Sequence, residues 1–366
     1  MIIYVFNQSL EVVGIVRNFE SLTYTRERSG SGSFKLEAPY TDEIYALLQE
    51  DYILYWEDMG KRIAVYIDTV ICEMSNNEQT ITVSGENIRG FLGRRIIWNN
   101  VSFNGTVEGF ARYLITSNFV SPTDVDRKIS NIVMGDRKGI TTEFVTETEN
   151  ENVEELLDSI SQESGIIFDL VLDITARKIR FECRSGVDHR TTQNTNPWIV
   201  VSQERNNALS DTYTRSNEPY RNTALVGGYK DKETGARYEA YITSKSGLDR
   251  REIYVSGSTS EPKANEDEGI TLEQAVSIHR QGLLQKGREK LAQQICVRSV
   301  ETEADSRVVE QIDVGDYVTL QGKKYGIAQT YVSSITAYYE RGGKRYDITF
   351  GDAAPSLTKR VVRRIQ

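Results

Sequence analysis

The chain has 366 residues, 39% hydrophobic and 27% charged, with a formal net charge of −9. That length exceeds the roughly 250–300 residues at which one core stops growing, so two or three domains are expected, and the composition excludes a disordered chain. The acidic balance argues against a chain that binds a phosphate backbone along its whole surface.

No apolar run approaches the roughly 18 residues of a membrane helix, and the opening "MIIYVFNQSLEVVG" lacks the basic region and cleavage site of a secretory signal. No membrane span and no signal-directed export are therefore expected. Twenty tyrosines against six prolines favour β-strands. Cys72, Cys183 and Cys296 are odd in number and far apart. They predict small core residues in a reducing compartment, not a disulfide framework or zinc site.

In "YTDEIYALLQE" the spacing of Ile44, Leu47 and Leu48 predicts a short helix capping an open barrel end. Alternation at Ile63, Val65 and Ile67, then at Ile81 and Val83, predicts two strands joined through the polar "NNEQ". "NIRGFLGRR", with Ile88, Phe91 and Leu92, predicts a helical turn leaving a first β-barrel domain, residues 1–98.

From Trp98 the pattern changes. Val107, Phe110, Tyr113 and Leu114 share one helical face, as do Val153, Leu156, Leu157 and Ile160 before a stop at Gly165. The strands "GIIFDLVLD" and "KIRFECR" follow, so residues 99–210 read as an α/β insertion domain. Residues 211–366 read as a second β-barrel domain: "LSDTYTRS" and "NTALVGGYK", then a helix over 271–294, then "YVTL", "YVSSITAYY" and "RYDITFG". Thr271 and Gln274 have capping-box spacing, and Leu272, Val276, His279, Leu283 and Leu291 trace the helix's apolar face. The fold class is thus mainly β with an α+β insertion: two homologous small barrels, an α/β domain and a long helix.

The homology rests on an internal repeat. The segments Asp51 to Gly85 and Asp316 to Gly351 both open Asp-Tyr-aliphatic, both carry a Gly-Lys turn, and both close on an Ile-Thr-hydrophobic strand before glycine. Ile53 is expected to match Val318, and Val83 to match Phe350, with a bulge in one barrel restoring the inward direction.

Asp188, His189 and Arg190 adjoin in "GVDHRTTQNTN", but neighbours in sequence point different ways, and the surrounding Gly, Thr and Asn predict a solvated turn, not a nucleophilic triad. His279 has no His or Glu placed to complete a metal site, so a packed or interface histidine is expected. There is no GxSxG, HExxH, P-loop or GxGxxG, and "SGSGSF" reads as a flexible loop. "ANEDEG" lacks the spacing of a calcium loop, and 53 acidic residues select no glycosidase pair. No catalytic residue, metal site or cofactor is assigned. The basic tail is read as a docking arm: Lys359, Arg360, Arg363 and Arg364 supply charge, and Val361 and Val362 supply apolar contacts.

The order of "GSFKLEAP", "ITVSGENIRGFLGRR", "GVDHRTTQ", "YRNTALVGG", "DVGDYVTL" and "ITFGDAAPSL" along the chain resembles the baseplate or tail hub proteins of long-tailed phages and phage-derived contractile particles, especially the Gram-positive tail-associated group. The resemblance implies a structural, non-enzymatic homotrimer whose two barrels per chain form a pseudo-sixfold ring. Its implied neighbours are the hexameric tail tube or distal tail protein and a threefold spike or fibre, with the tape-measure protein a further candidate. It implies a place at the tail tip of a virion or phage-like particle made in the bacterial cytoplasm. The Asp-His-Arg loop corresponds to a "GxDRT"-like structural segment, with His189 interposed. The chain carries no peptidase, lysozyme-like or fibre extension after the second barrel, which favours a hub with a separate spike. A conduit poor in Lys and Arg would not trap passing DNA. The alternative readings are a cell-wall glycan hydrolase or a carbohydrate- or receptor-binding tail protein.

Overall fold

The computed structural model describes residues 1–75, 79–243, 245–264 and 269–352. The amino-terminal part holds β1 (Ile3–Phe6), β2 (Val12–Val16), β3 (Ser21–Glu27), β4 (Ser33–Pro39), α1 (Asp42–Leu47), β5 (Ile53–Asp58), β6 (Lys61–Met74) and β7 (Gln79–Asn87). Helix α1 begins where the Thr41 hydroxyl accepts from the Ile44 N–H, and Leu48 just beyond it is fully buried. The expected turn after β7 is a 3-10 helix, Ile88–Arg94, that buries Ile88 and Leu92.

Residues 99–210, read from the sequence as the insertion, contain β8 (Val101–Thr106), α2 (Val107–Ile115), β9 (Ile132–Met134), β10 (Glu143–Thr148), α3 (Val153–Ser164), β11 (Ile166–Asp173), β12 (Lys178–Ser185) and β13 (Val200–Val201). Helix α3 stops at Gly165, whose φ of 78° is the left-handed conformation glycine adopts without a Cβ penalty. On α2 the expected face holds at Val107, Phe110 and Leu114, whereas Tyr113 is exposed.

The carboxy-terminal part holds β14 (Thr212–Ser216), β15 (Thr223–Lys230), β16 (Arg237–Thr243), β17 (Glu252–Ser256), α4 (Leu272–Ala292), β18 (Val297–Ala304), α5 (Ser306–Gln311), β19 (Tyr317–Gly322), β20 (Gly326–Glu340) and β21 (Gly343–Asp352). The capping box forms at α4: Thr271 accepts from the Gln274 N–H, and the Gln274 side chain accepts from the Thr271 N–H. Strands β16, β15 and β17 make a separate sheet under α4, with Leu283 packed among Ala224, Val226, Ala240 and Val255. Leu272, expected in the apolar face, is exposed at the first turn, and Val276 is half-buried.

The two β-rich ends are not separate closed barrels. A thirteen-stranded sheet runs in the order β14-β18-β21-β20-β3-β4-β7-β6-β5-β1-β2, with β19 on β20 and β13 on β19, and its hydrogen-bonded path is open. The chain's ends merge because β20 is long. Its first part pairs with β19, and Ser334 to Tyr339 pair with Glu27 to Leu22 of β3. One core spans both ends, from Ile3, Leu36 and Trp56 to Val318, Ile335 and Phe350. The opposite face of β5 and β6, with Ile53, Tyr55 and Tyr66, packs against the insertion residues Phe110, Leu157 and Phe168.

The repeat is present and larger than its sequence signal. Strands β3, β4, β7, β6 and β5 are joined in that order, and so are β14, β18, β21, β20 and β19. A short helix, α1 or α5, precedes β5 or β19. Both halves bulge at the same place: Ile67 pairs with Gly85 and Thr69 with Ser84, while Val332 pairs with Phe350 and Ser334 with Thr349. The bulge expected in one half therefore occurs in both.

The bulges set the true equivalences and overturn both expected matches. Leu54 pairs with Val65, and Val318 pairs with Thr330, each partner standing two residues before its bulge. Leu54, not Ile53, matches Val318. Likewise Val83 pairs with Val70 and Ile348 with Ile335, so Val83 matches Ile348, while Phe350 matches Gly85. The slip has a physical cause: Ile53, Leu54, Tyr55 and Trp56 are all buried, so β5 has no alternation from which to read its phase.

Candidate assembly surface

The seam between β3 and β20 is where the halves of the chain become one body. Asp58, at the end of β5, is buried there. It accepts from the hydroxyls of Tyr24 on β3 and Tyr346 on β21, and it pairs with Lys344. Burial alone would raise the Asp58 pKa, but Lys344 and the tyrosine hydroxyls outweigh it and hold the carboxyl below its ordinary value. Tyr24 also meets Trp56 edge-on, with ring centroids 5.2 Å apart.

A second ionic cluster lies next along the seam, around Arg26, two residues from Tyr24 on β3. Asp313, just before β19, pairs with Arg26 of β3 and with Lys61 of β6 at 3.3 Å. Arg184, from β12 of the insertion, lies 4.0 Å from Asp313, bonds Asp169 at 3.2 Å and donates to the Val314 carbonyl at 3.1 Å. Burial pushes the Asp313 pKa up, and Arg26, Arg184 and Lys61 pull it down further, leaving it lowered. These groups are struts between elements distant in sequence.

The Asp-His-Arg loop is a third strut. Its backbone runs alongside β19: His189 N–H donates to the Tyr317 carbonyl, and Tyr317 N–H donates to the Val187 carbonyl. Asp188 pairs with Arg190 at 2.6 Å, and the Arg190 guanidinium sits 5.0 Å from the Tyr317 ring centroid. His189 is half-buried, not fully solvated, with Nδ1 2.9 Å from the Pro197 carbonyl. Gly186 is required, because a Cβ there would lie 1.9 Å from the Gly315 carbonyl oxygen.

Helix α4 is clamped to the insertion by polar side chains. His279 is fully buried, with Nδ1 2.6 Å from Glu147 of β10, and the Tyr229 N–H reaches its Nε2 at 3.5 Å. Nε2 is then the acceptor, so the ring proton sits on Nδ1 and goes to Glu147. Glu289 is buried next to Gln285, whose amide reaches it at 3.2 Å, and burial pushes the Glu289 pKa up to about 8. The expected packed histidine is thus found.

Other expectations change. "SGSGSF" is an ordered turn: Gly32 has φ 64°, where a Cβ would meet the Thr25 carbonyl oxygen at 2.0 Å, and the buried Ser31 donates to Glu154 of α3. Of the three cysteines only Cys183 is buried; Cys72 is exposed and Cys296 intermediate. The basic tail Lys359 to Arg364 and most of "ANEDEG" lie outside the described residues. Among the described residues, no group of His, Cys, Asp or Glu is placed to hold a metal ion, and no helix is long and apolar enough to cross a membrane.

A profile of the family described as Siphovirus ReqiPepy6 Gp37-like protein matches residues 2–352. The chain belongs to that family. The same fold occurs in the 43 kDa tail protein of prophage MuSo2 from Shewanella oneidensis, at 16% identity and TM-score 0.54, covering 96% of this chain and 98% of that one. It occurs in a tail protein from Neisseria meningitidis MC58, at 11% identity and TM-score 0.53, over 95% of both chains. Prophage tail protein gp18 from Listeria monocytogenes EGD-e is also similar, at 15% identity and TM-score 0.55, over 99% of this chain and 97% of that one. No curated protein matches significantly. The resemblance to phage tail proteins read from the sequence therefore holds for family and fold.

The seam was missed at the sequence level, although it has a signal. Tyr24 pairs with Phe34, which pairs with Gly85, while Tyr213 pairs with Val300, which pairs with Phe350. Since Gly85 and Phe350 are equivalent, so are Tyr24 and Tyr213. Both sit in the tetrapeptide Thr-Tyr-Thr-Arg, at Thr23 to Arg26 and Thr212 to Arg215.

Proposed function

We propose that the chain is a structural hub of a phage tail or phage-derived particle, working as a homotrimer. Two like halves in each of three chains present six similar surfaces. Such a ring matches a hexameric tail tube or distal tail protein on one side and a threefold spike or fibre on the other. The observation that supports this reading is the duplicated unit of five strands and a short helix, joined edge to edge within one chain.

In this reading residues 1–98 and 211–366 supply the two halves of the ring, and residues 99–210 brace them from outside. The tail from Lys359 to Arg364 docks on a neighbouring subunit or spike, and the place of action is the tail tip. The clustered ionisable groups serve as struts, consistent with a non-enzymatic role.

Native mass measurement of the complex with its neighbours tests the proposal. Three chains per assembly is the expected result; two or four would remove the pseudo-sixfold match.

A further inference from the structure

The internal repeat leaves one joint made and one unmade. Within the chain, the edge of the second half's β20 at Ser334 to Tyr339 is covered by β3, which opens the first half's order. The equivalent stretch of the first half's β6, set by the shared bulge, is Thr69 to Met74. That stretch pairs with β7 on one side, and among the described residues no strand pairs with its other side. The equivalent of β3 is β14, which pairs with β18 and ends the sheet.

The two open edges are therefore complementary by the chain's own symmetry. In the made joint Ala337 stands opposite Tyr24 and Ile335 opposite Arg26. Their equivalents on the open edges are Cys72 and Tyr213, and Val70 and Arg215. The Thr-Tyr-Thr-Arg tetrapeptide that pairs with β20 inside the chain is present again on β14, where among the described residues no strand pairs with its outer side. Edge strands of monomers are normally shortened, charged or covered. This one exposes Ile71 at 48% and Met74 at 53%, and Tyr213 is exposed on β14.

We propose that β6 of one chain pairs antiparallel with β14 of a second copy, repeating between chains the joint that β20 and β3 make within one. The register places Thr69 opposite Ser216, Val70 opposite Arg215, Ile71 opposite Thr214, Cys72 opposite Tyr213 and Glu73 opposite Thr212. The contact is heterologous, since the two edges differ, so it propagates head to tail and closes only as a ring. The inference rests on the trimeric-hub reading for the number of chains in that ring, but not for the joint itself.

Disulfide trapping tests the register, because opposed residues of antiparallel strands lie about 4.5–5.5 Å apart at Cα, within the about 4.4–6.8 Å a disulfide spans. Tyr213→Cys, in particles assembled with the neighbouring tail proteins and then oxidised, is expected to cross-link to native Cys72 of the next copy. Non-reducing gels should show chains linked to one another, and adding Cys72→Ser should abolish the bands. Val70→Cys with Arg215→Cys in the Cys72→Ser background is a second pair in the same register. Thr214→Cys points to the opposite face and should not link to Cys72. If native mass gives three chains yet neither pair cross-links, or Thr214→Cys links as well as Tyr213→Cys, the joint is wrong while the trimer stands. Cross-linking at both pairs in an assembly of another size would keep the joint and overturn the trimer.

Discussion

Tyr346 donates its hydroxyl to Asp58, 2.9 Å from Oδ1 and 3.1 Å from Oδ2, so a carboxylate at the tip of the first half's hairpin is held by a strand of the second half. Lys344 and Tyr24 converge on the same group. Asp58→Ala leaves the Tyr24 and Tyr346 hydroxyls at the seam without their acceptor and is expected to cost about 2 kcal/mol or more, since each buried donor left unsatisfied costs about 1–3 kcal/mol. Chemical denaturation measures it; a loss below about 1 kcal/mol would mean the seam does not depend on this carboxylate.

Acid should loosen the same seam. Asp58 and Asp313 have folded-state pKa values below their ordinary ones, so the folded chain binds fewer protons than the unfolded chain as pH falls. Their contribution is complete above the ordinary carboxylate value near 3.9 and is lost as pH drops through the lower folded values. Thermal denaturation from pH 5 to pH 2 should show the loss, and Asp313→Asn should reduce it.

Glu289 works in the opposite direction. Its folded pKa of about 8 exceeds the ordinary 4.5, so the folded chain holds a proton that the unfolded chain has lost between those values. Stability from this site falls as pH rises from about 4.5 to about 8 and then levels. Glu289→Gln should remove that slope and stabilise the protein at pH 8 by more than about 1 kcal/mol, since each tenfold change in proton affinity is worth about 1.4 kcal/mol. An unchanged slope in the variant would show that Glu289 ionises freely.

The loop on β19 depends on its backbone more than on its histidine. Gly186→Ala forces a Cβ into the Gly315 carbonyl and should displace the Val187–Tyr317 pairing, costing about 2 kcal/mol or more. His189→Ala removes one hydrogen bond to Pro197 and should cost about 1 kcal/mol or less, with assembly intact. Melting temperatures of the two variants check the order, and the reverse order would refute it.

Removal of residues 357–366 should reduce attachment of the spike or neighbouring subunit while leaving the ring intact. Pull-down of the neighbours by the truncated chain checks this. Undiminished attachment would make the basic tail a frayed terminus.

Much of this protein was legible because its signals are local. The capping box at Thr271 and Gln274, the stop at Gly165 and the hairpins on both sides of the bulges depend on residues near one another in sequence. The repeat was legible for the same reason, since each hairpin keeps its own turn and alternation. The phase of β5 was not: burial on both faces erased the alternation that separates Ile53 from Leu54. Only the tertiary structure decided that the two halves share one sheet. The pairing of β3 with β20 joins residues about three hundred positions apart, and neither strand differs visibly in sequence from one at a free edge. Asp58 and Asp313 likewise read as ordinary acidic residues at turns. Their roles arise because the seam buries them beside cations and hydroxyls supplied by the other half, and no local pattern carries that information.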